Sequence, residues 1–255
     1  MRLDKFISDN SALSRSQVRD AVKKGLVKVD GIIIKQADFK ISPETSSVEY
    51  AGNIISYRKN RYILLNKPAG FVCSTSDPES HTVLELIPPE LSKKVFPAGR
   101  LDKDSEGLVL LTDDGELSHR ILTPEKHVPK FYIVKLAECF KIQYIDLFAS
   151  GISLSNGEVC MPAKVFPVEN NDLWAIVELR EGKYHQVRRM FASAGNKVEY
   201  LFRFCMGNLQ IPEKLAIGDC MELMHKDVEK LIQTPDYDFI LRKLYVYFSS
   251  YLINK

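Results

Sequence analysis

Gly99-Arg100-Leu101-Asp102-Lys103-Asp104-Ser105-Glu106-Gly107 runs straight into Leu108-Val109-Leu110-Leu111-Thr112, and the turn signal Asp113-Asp114-Gly115 follows at once. A polar loop bracketed by glycines that enters a short, wholly apolar run predicts a buried strand with the loop held at its rigid edge. Three carboxylates ride on that loop: Asp102, Asp104 and Glu106. The ordinary role of an acid there is to form a turn or a cap, and composition alone does not separate the three. Working outward, residues 62–65 (before Asn66-Lys67-Pro68-Ala69-Gly70), 131–136 and 173–179 also read as strands, while residues 116–122 and 185–194 read as helices. Strands outnumber helices and several are joined by short turns. The expected class is therefore α+β, with a largely antiparallel mixed sheet flanked by helices, rather than a doubly wound βαβ domain.

The first sixty residues have a different character. They carry 11 Lys/Arg against 7 Asp/Glu, a net of +4, whereas the whole chain has 35 against 33, so the remainder carries 24 against 26. Leu3, Phe6 and Ile7 recur at helical spacing. Ser14 with Gln17 forms a capping-box pattern ahead of the apolar stripe Val18, Ala21 and Val22, and Gly25 marks the stop. Asp30-Gly31 between two β-rich runs predicts a tight hairpin. Arg15, Arg19 and Lys23 fall at i, i+4 and i+8. Such a row is commonly a solvated helix face, but rigidly spaced cations can also track a phosphate backbone. Residues 42–61, with Pro43 and a polar stretch, read as the connection to the body.

At 255 residues, two unequal domains are expected, and 45% hydrophobic with 27% charged residues excludes a low-complexity or disordered chain. Met1-Arg2-Leu3-Asp4-Lys5-Phe6 places charge where a secretory signal needs an apolar run, and no apolar stretch approaches the length of a membrane span. A cytoplasmic protein without membrane attachment is expected. The five cysteines, odd in number and widely spaced, read as reduced core thiols. The five histidines are scattered, and no metal, nucleotide-phosphate or nucleophile-elbow motif is found. No cofactor and no metal are therefore expected.

Two further segments concentrate chemistry. His127-Val128-Pro129-Lys130-Phe131-Tyr132 brings a cation and aromatics to the start of a strand. Glu181-Gly182-Lys183-Tyr184-His185-Gln186-Val187-Arg188-Arg189-Met190-Phe191 sets a glycine turn before a helix with two early arginines. Cations are disfavoured near a helix N-terminus, a conflict that an anionic partner would remove.

Taken together, these motifs carry a resemblance. Residues 1–50, with Arg2-Leu3-Asp4-Lys5-Phe6, the serine-arginine-led helix and Val27-Lys28-Val29-Asp30-Gly31, resemble an S4 RNA-binding domain. With Asn66–Gly70, the segment 99–115 and Tyr184–Met190, the chain to about residue 232 resembles the bacterial pseudouridine synthases of the small-subunit type. The resemblance implies domains at 1–60 (S4-like domain and linker) and 61–233 (catalytic), leaving 234–255 as an extension without a counterpart. It implies shape- and phosphate-based RNA binding involving Lys5, Arg15, Arg19 and Lys23. It also implies Asp102 as catalytic aspartate, Tyr132 as the aromatic that stacks on the target base, and Arg188 as the cation paired with the aspartate. Lys67, Arg100 and Arg189 would bind substrate.

Val72-Cys73-Ser74-Thr75 and the Tyr-His-Gln form of the last motif look more like members acting on 16S ribosomal RNA than like 23S-directed relatives. The implied partner is 16S RNA or a small-subunit assembly intermediate, the implied target is U516, and the implied state is a monomer. The same chemistry on a 23S uridine, and a non-catalytic S4-type RNA-binding protein, are the competing readings. Ser105 and Phe131 stand where relatives more often have threonine.

Overall fold

A computed structural model of the chain describes residues 1–123 and 128–252. His127, grouped above with Lys130 and Tyr132, lies outside the described residues, as do residues 253–255. The chain forms two compact units, Met1–Asn60 and Arg61–Lys255.

The first unit packs α1 (Leu3–Asn10) and α2 (Arg15–Lys23) with a small sheet of β1 (Val27–Val29), β2 (Ile32–Ile33), β3 (Val48–Tyr50) and β4 (Asn53–Ile54) in the order β2-β1-β3-β4. Leu3, Phe6, Ile7, Val18, Val22, Val27 and Val48 fill its core. Ser14 and Gln17 form the reciprocal capping box, with Ser14 Oγ accepting from the Gln17 amide and Gln17 Oε1 accepting from the Ser14 amide. Asp30 and Gly31 both take left-handed backbone, as a two-residue hairpin turn of this hand requires. The reading of residues 42–61 as a plain connection is corrected. Val48–Tyr50 pairs antiparallel with Val27–Val29 and then turns back through Ala51-Gly52 into β4, so this segment completes the small sheet. Lys5, Arg15, Arg19 and Lys23 are all exposed.

The second unit is built on β5 (Tyr62–Lys67), β6 (Phe96–Pro97), β7 (Glu106–Thr112), β8 (Lys130–Leu136), β9 (Lys164–Val168), β10 (Asn171–Leu179), β11 (Val198–Met206), β12 (Leu209–Gln210) and β13 (Cys220–Glu222). The sheet order is β13-β5-β7-β11-β8-β10-β9, with β6 beside β7 and β12 beside β11. Among the described residues only the β7–β11 pairing of this sheet is parallel, so the sheet is mixed and largely antiparallel. Helices α3 (Pro89–Ser92), α4 (Gly115–Leu122), α5 (Tyr144–Ala149), α6 (Gln186–Ser193), α7 (His225–Val228) and α8 (Tyr237–Tyr247) accompany it.

Strand alternation feeds two cores. Ile63, Leu65, Val109, Leu111, Val134 and Val177 face α5 and α6. Leu64, Leu108, Leu110, Ile133, Ile176 and Phe202 face α4, α7 and α8. With both faces covered, β5 and β7 are apolar without alternation, which is why they read as continuous runs. The segment 234–255 contributes α8, whose Ile240, Leu244 and Tyr247 are buried in the second core. Tyr247 stacks on Phe202 at 5.1 Å.

Gly107 opens β7 with φ +110°, and a Cβ there would lie 2.8 Å from the Arg203 amide nitrogen, with the carbonyl oxygen of Arg203 closer still. Only glycine allows β7 this near to β11. Among the described residues no helix is long and apolar enough to cross a membrane. Cys139 is exposed and Cys220 half-buried, so not every thiol lies in the core as expected.

Candidate active site

Residues 99–103 of the loop line one side of an open cavity of about 660 Å³, a size that admits a nucleotide. The opposite wall is the turn 182–185 at the start of α6, and the floor is supplied by Lys130 and Tyr132 of β8, Leu201 and Arg203 of β11 and Leu179 of β10. Tyr132 and Arg203 are register partners on neighbouring strands, so their side chains share the cavity face of the sheet.

The loop is braced from below by two buried cations. Lys67, fully buried at the end of β5, points its ammonium at the carbonyls of Asp102 (3.0 Å), Lys103 (3.3 Å) and Ser105 (2.7 Å), and at that of Pro68 (3.1 Å). Arg203 donates from Nε to the Leu108 carbonyl (2.8 Å) and from Nη1 to the Arg100 carbonyl (3.2 Å). The Gly70 amide adds a bond to the Lys103 carbonyl (2.7 Å). The motif Asn66–Gly70 thus grips the loop by its backbone. Burial lowers the pKa of Lys67, opposed by Cys73, Asp104, Asp102 and Glu106.

The structure separates the three loop acids. Glu106 accepts from the Tyr200 hydroxyl at 2.6 Å; burial first, and then this bond, raises the tyrosine pKa. Asp104 pairs with Arg188 Nη2 at 3.0 Å. The Asp102 carboxylate, 22% exposed, meets two nitrogen groups only at longer range, the His185 imidazole Nε2 at 3.6 Å and the Arg188 guanidinium Nε at 3.9 Å. Arg188 is anchored by the Val198 carbonyl (3.0 Å), and its Nε is buried without a hydrogen-bond partner among the described residues.

Of the substrate-binding expectations, Arg100 is exposed and lines the cavity, but two others need correction. Lys67 has no surface, and its protons go to backbone carbonyls, so it is a brace. Arg189 turns to Glu158 (2.7 Å) and to the Tyr184 carbonyl (3.3 Å) and does not line the cavity. His185, Lys130 and Arg203 were not singled out as site residues by the sequence. His185 holds left-handed backbone, φ +48°, which no neighbouring glycine signals. Lys130 is buried, donates to the Val128 carbonyl (3.1 Å), and is pushed down to about 8, chiefly by burial and then by Arg203. Arg203 sits in β11, a run the sequence reading passed over.

Comparison with known proteins agrees with this architecture. The family model "RNA pseudouridylate synthase" matches residues 61–193, and the model "S4 domain" matches residues 1–46. "Uncharacterized RNA pseudouridine synthase YtzG" of Bacillus subtilis is 40% identical over 91% of this chain and 98% of its own length. "Ribosomal small subunit pseudouridine synthase A" of Haemophilus influenzae is 40% identical over 91% of this chain and all of its own. The protein of the same name from Escherichia coli K12 is 39% identical over the same shares. A solved structure described as a pseudouridylate synthase superposes with a TM-score of 0.64 at 39% identity, covering 91% of this chain and 99% of that one. With its S4 domain ahead of a synthase domain and relatives aligned along nearly their whole length, the chain belongs to the small-subunit type of the RNA pseudouridine synthase family.

Proposed function

We propose that this pseudouridine synthase acts on 16S ribosomal RNA, free or within a small-subunit assembly intermediate, converting U516 with Asp102 as the catalytic carboxylate. The reaction breaks the C1′–N1 bond of a uridine, turns the uracil over, joins C1′ to C5 and transfers the C5 proton away, so that N1 ends protonated. It is an isomerisation with no net redox change. The uridine must leave its stack to reach the cavity.

One observation carries the assignment of Asp102. Glu106 and Asp104 are engaged at hydrogen-bond distance, by Tyr200 and Arg188 respectively. The side chain of Asp102 makes no hydrogen bond among the described residues, with the His185 imidazole at 3.6 Å and the Arg188 guanidinium at 3.9 Å. Its oxygens therefore keep lone pairs free to attack C1′ or to take the 2′ proton. Tyr132, on the cavity floor, stacks on the base. Arg188 supplies positive charge beside the carboxylate, and Arg100 holds the phosphate or ribose of the extruded nucleotide. The exposed row Arg15, Arg19 and Lys23, with Lys5, contacts RNA phosphates. The 16S target draws support from the names of the Haemophilus and Escherichia relatives. A monomer working in the cytoplasm completes the reading.

Asp102→Asn abolishes tritium release from [5-³H]uridine-labelled RNA while RNA affinity persists; substantial turnover by that variant overturns the assignment. Carbodiimide-adduct primer extension on ribosomal RNA from cells with and without the gene tests the target. A stop lost in 23S RNA instead of 16S RNA would favour the competing substrate.

A further inference from the structure

Tyr184, 70% accessible, is the most exposed large hydrophobic residue lining the cavity, yet it is held in place from several sides. Its ring stacks on His185 with centroids 3.9 Å apart and planes 16° from parallel. Its carbonyl accepts from Arg189 Nη1 at 3.3 Å, and that guanidinium is tied to Glu158 at 2.7 Å. On the cavity side, His185 Nε2 lies 3.6 Å from Asp102. An ordered stack thus runs outward from the Asp102 carboxylate through the imidazole to a phenol whose outer face meets solvent. The chemistry described above has no use for Tyr184.

From this geometry we infer that the outer face of Tyr184 is a stacking subsite for the unpaired base next to the target uridine. This inference rests on the reading of Asp102 as the residue that meets the target ribose. An aromatic face accepts any base, because every base has a π-face, so the subsite recognises single-stranded geometry at the target rather than sequence. Extrusion of one nucleotide deprives its neighbour of a stacking partner, and Tyr184 supplies a replacement. Lys183 and Arg100 line the same cavity and supply cations for the phosphates on either side of a base so placed. The left-handed turn at His185 brings both rings to the rim, so the imidazole links the flanking base to the carboxylate side of the cavity.

The test compares wild type, Tyr184→Ala and Tyr184→Trp on labelled 16S RNA, with RNA affinity read separately in an Asp102→Asn background. Tyr184→Ala raises KM and the dissociation constant by about 5- to 150-fold, with kcat changed by less than about threefold. Tyr184→Trp recovers the affinity. An abasic site beside the modified uridine weakens wild-type binding to the same degree and adds no further loss to Tyr184→Ala. Unchanged affinity in Tyr184→Ala, undiminished wild-type binding to the abasic RNA, or a fall in kcat alone overturns the subsite. If wild type itself releases no tritium, the assigned reaction fails, and the affinity arms still decide on the stacking face.

Discussion

Gly107→Ala is the sharpest perturbation the fold offers, because it moves the loop carrying Asp102, the proposed catalytic carboxylate, without touching that side chain. At φ +110° alanine takes on about 1–3 kcal/mol of backbone strain. Its Cβ would stand 2.8 Å from the Arg203 nitrogen and 2.9 Å from the carbonyl carbon. An ordinary carbon contact of about 3.5 Å requires β7 and β11 to part by about 0.7 Å at the nitrogen alone. That separation weakens the Arg203↔Gly107 pairing and strains the Arg203 bonds to Leu108 and Arg100, at about 1 kcal/mol for each bond lost. The total is about 3–5 kcal/mol, which in a unit of this size lowers Tm by about 10 °C. Since a misplacement of about 1 Å at a reacting group costs on the order of a hundredfold in rate, kcat should fall by about ten- to a hundredfold. Differential scanning fluorimetry and tritium release measure the two effects. The control is Gly115→Ala at the start of α4, where a Cβ meets nothing within 4 Å and φ is not positive; it should leave Tm unchanged or raise it slightly. A Gly107→Ala protein with wild-type Tm and rate would refute the idea that close β7–β11 approach sets the loop.

Lys130→Met should stabilise the protein at pH 7 by up to about 3 kcal/mol, since burial depresses the lysine to about 8 from 10.5 and each pKa unit is worth about 1.4 kcal/mol. Below pH 8 both states of the wild type are protonated and the penalty is full. Between pH 8 and 10.5 the unfolded chain holds more protons than the native one, so wild-type stability rises and the advantage of the variant fades; an advantage equal at pH 7 and pH 10.5 in urea titrations would exclude this origin. Leu244→Ala, in the fully buried stripe of α8, should reduce the unfolding free energy by about 2–5 kcal/mol. An unshifted urea midpoint for the second unit would mean that the C-terminal helix is not part of its core.

What the sequence made legible followed from local physics. The capping box at Ser14, the Asp30-Gly31 turn and the apolar runs of β5 and β7 each declare themselves within a few residues, and each is found in the structure. β3 and β4 were hidden because they are very short and pair only in a chain, β3 on β1 and β4 on β3, so their residues look like polar linker. β11 was hidden by Arg203, a charge in the middle of an apolar run that makes sense only once the carbonyls of Leu108 and Arg100 lie beside it. The same blindness applied to the loop acids. Nothing in their spacing distinguishes Asp102 from Asp104 or Glu106, because the distinction lies in Tyr200 and Arg188, which arrive from distant strands and helices. Lys67 was legible as part of a motif but misread in role, since a lysine beside proline and glycine gives no sign of whether its ammonium faces substrate or backbone.

The use of buried cations beneath the loop follows from what a loop of this shape needs. Between Arg100 and Ser105 the chain lies outside the sheet ladder, and its carbonyls that face the interior must still be paired. A hydrophobic residue in place of Lys67 or Arg203 would pack well and would remove a costly buried charge, but it would take away the donors that Lys67 gives to the carbonyls of Asp102, Lys103 and Ser105, or Arg203 to those of Arg100 and Leu108. The cations accept a desolvation penalty, visible in the lowered pKa of Lys67, and in return fix the loop backbone on both sides of Asp102. That division of labour leaves the side chain of Asp102 out of the scaffold. A carboxylate recruited to hold its own loop would have to break a strong bond before reacting, whereas in the proposed role Asp102, positioned by its backbone, would meet a ribose with both oxygens uncommitted.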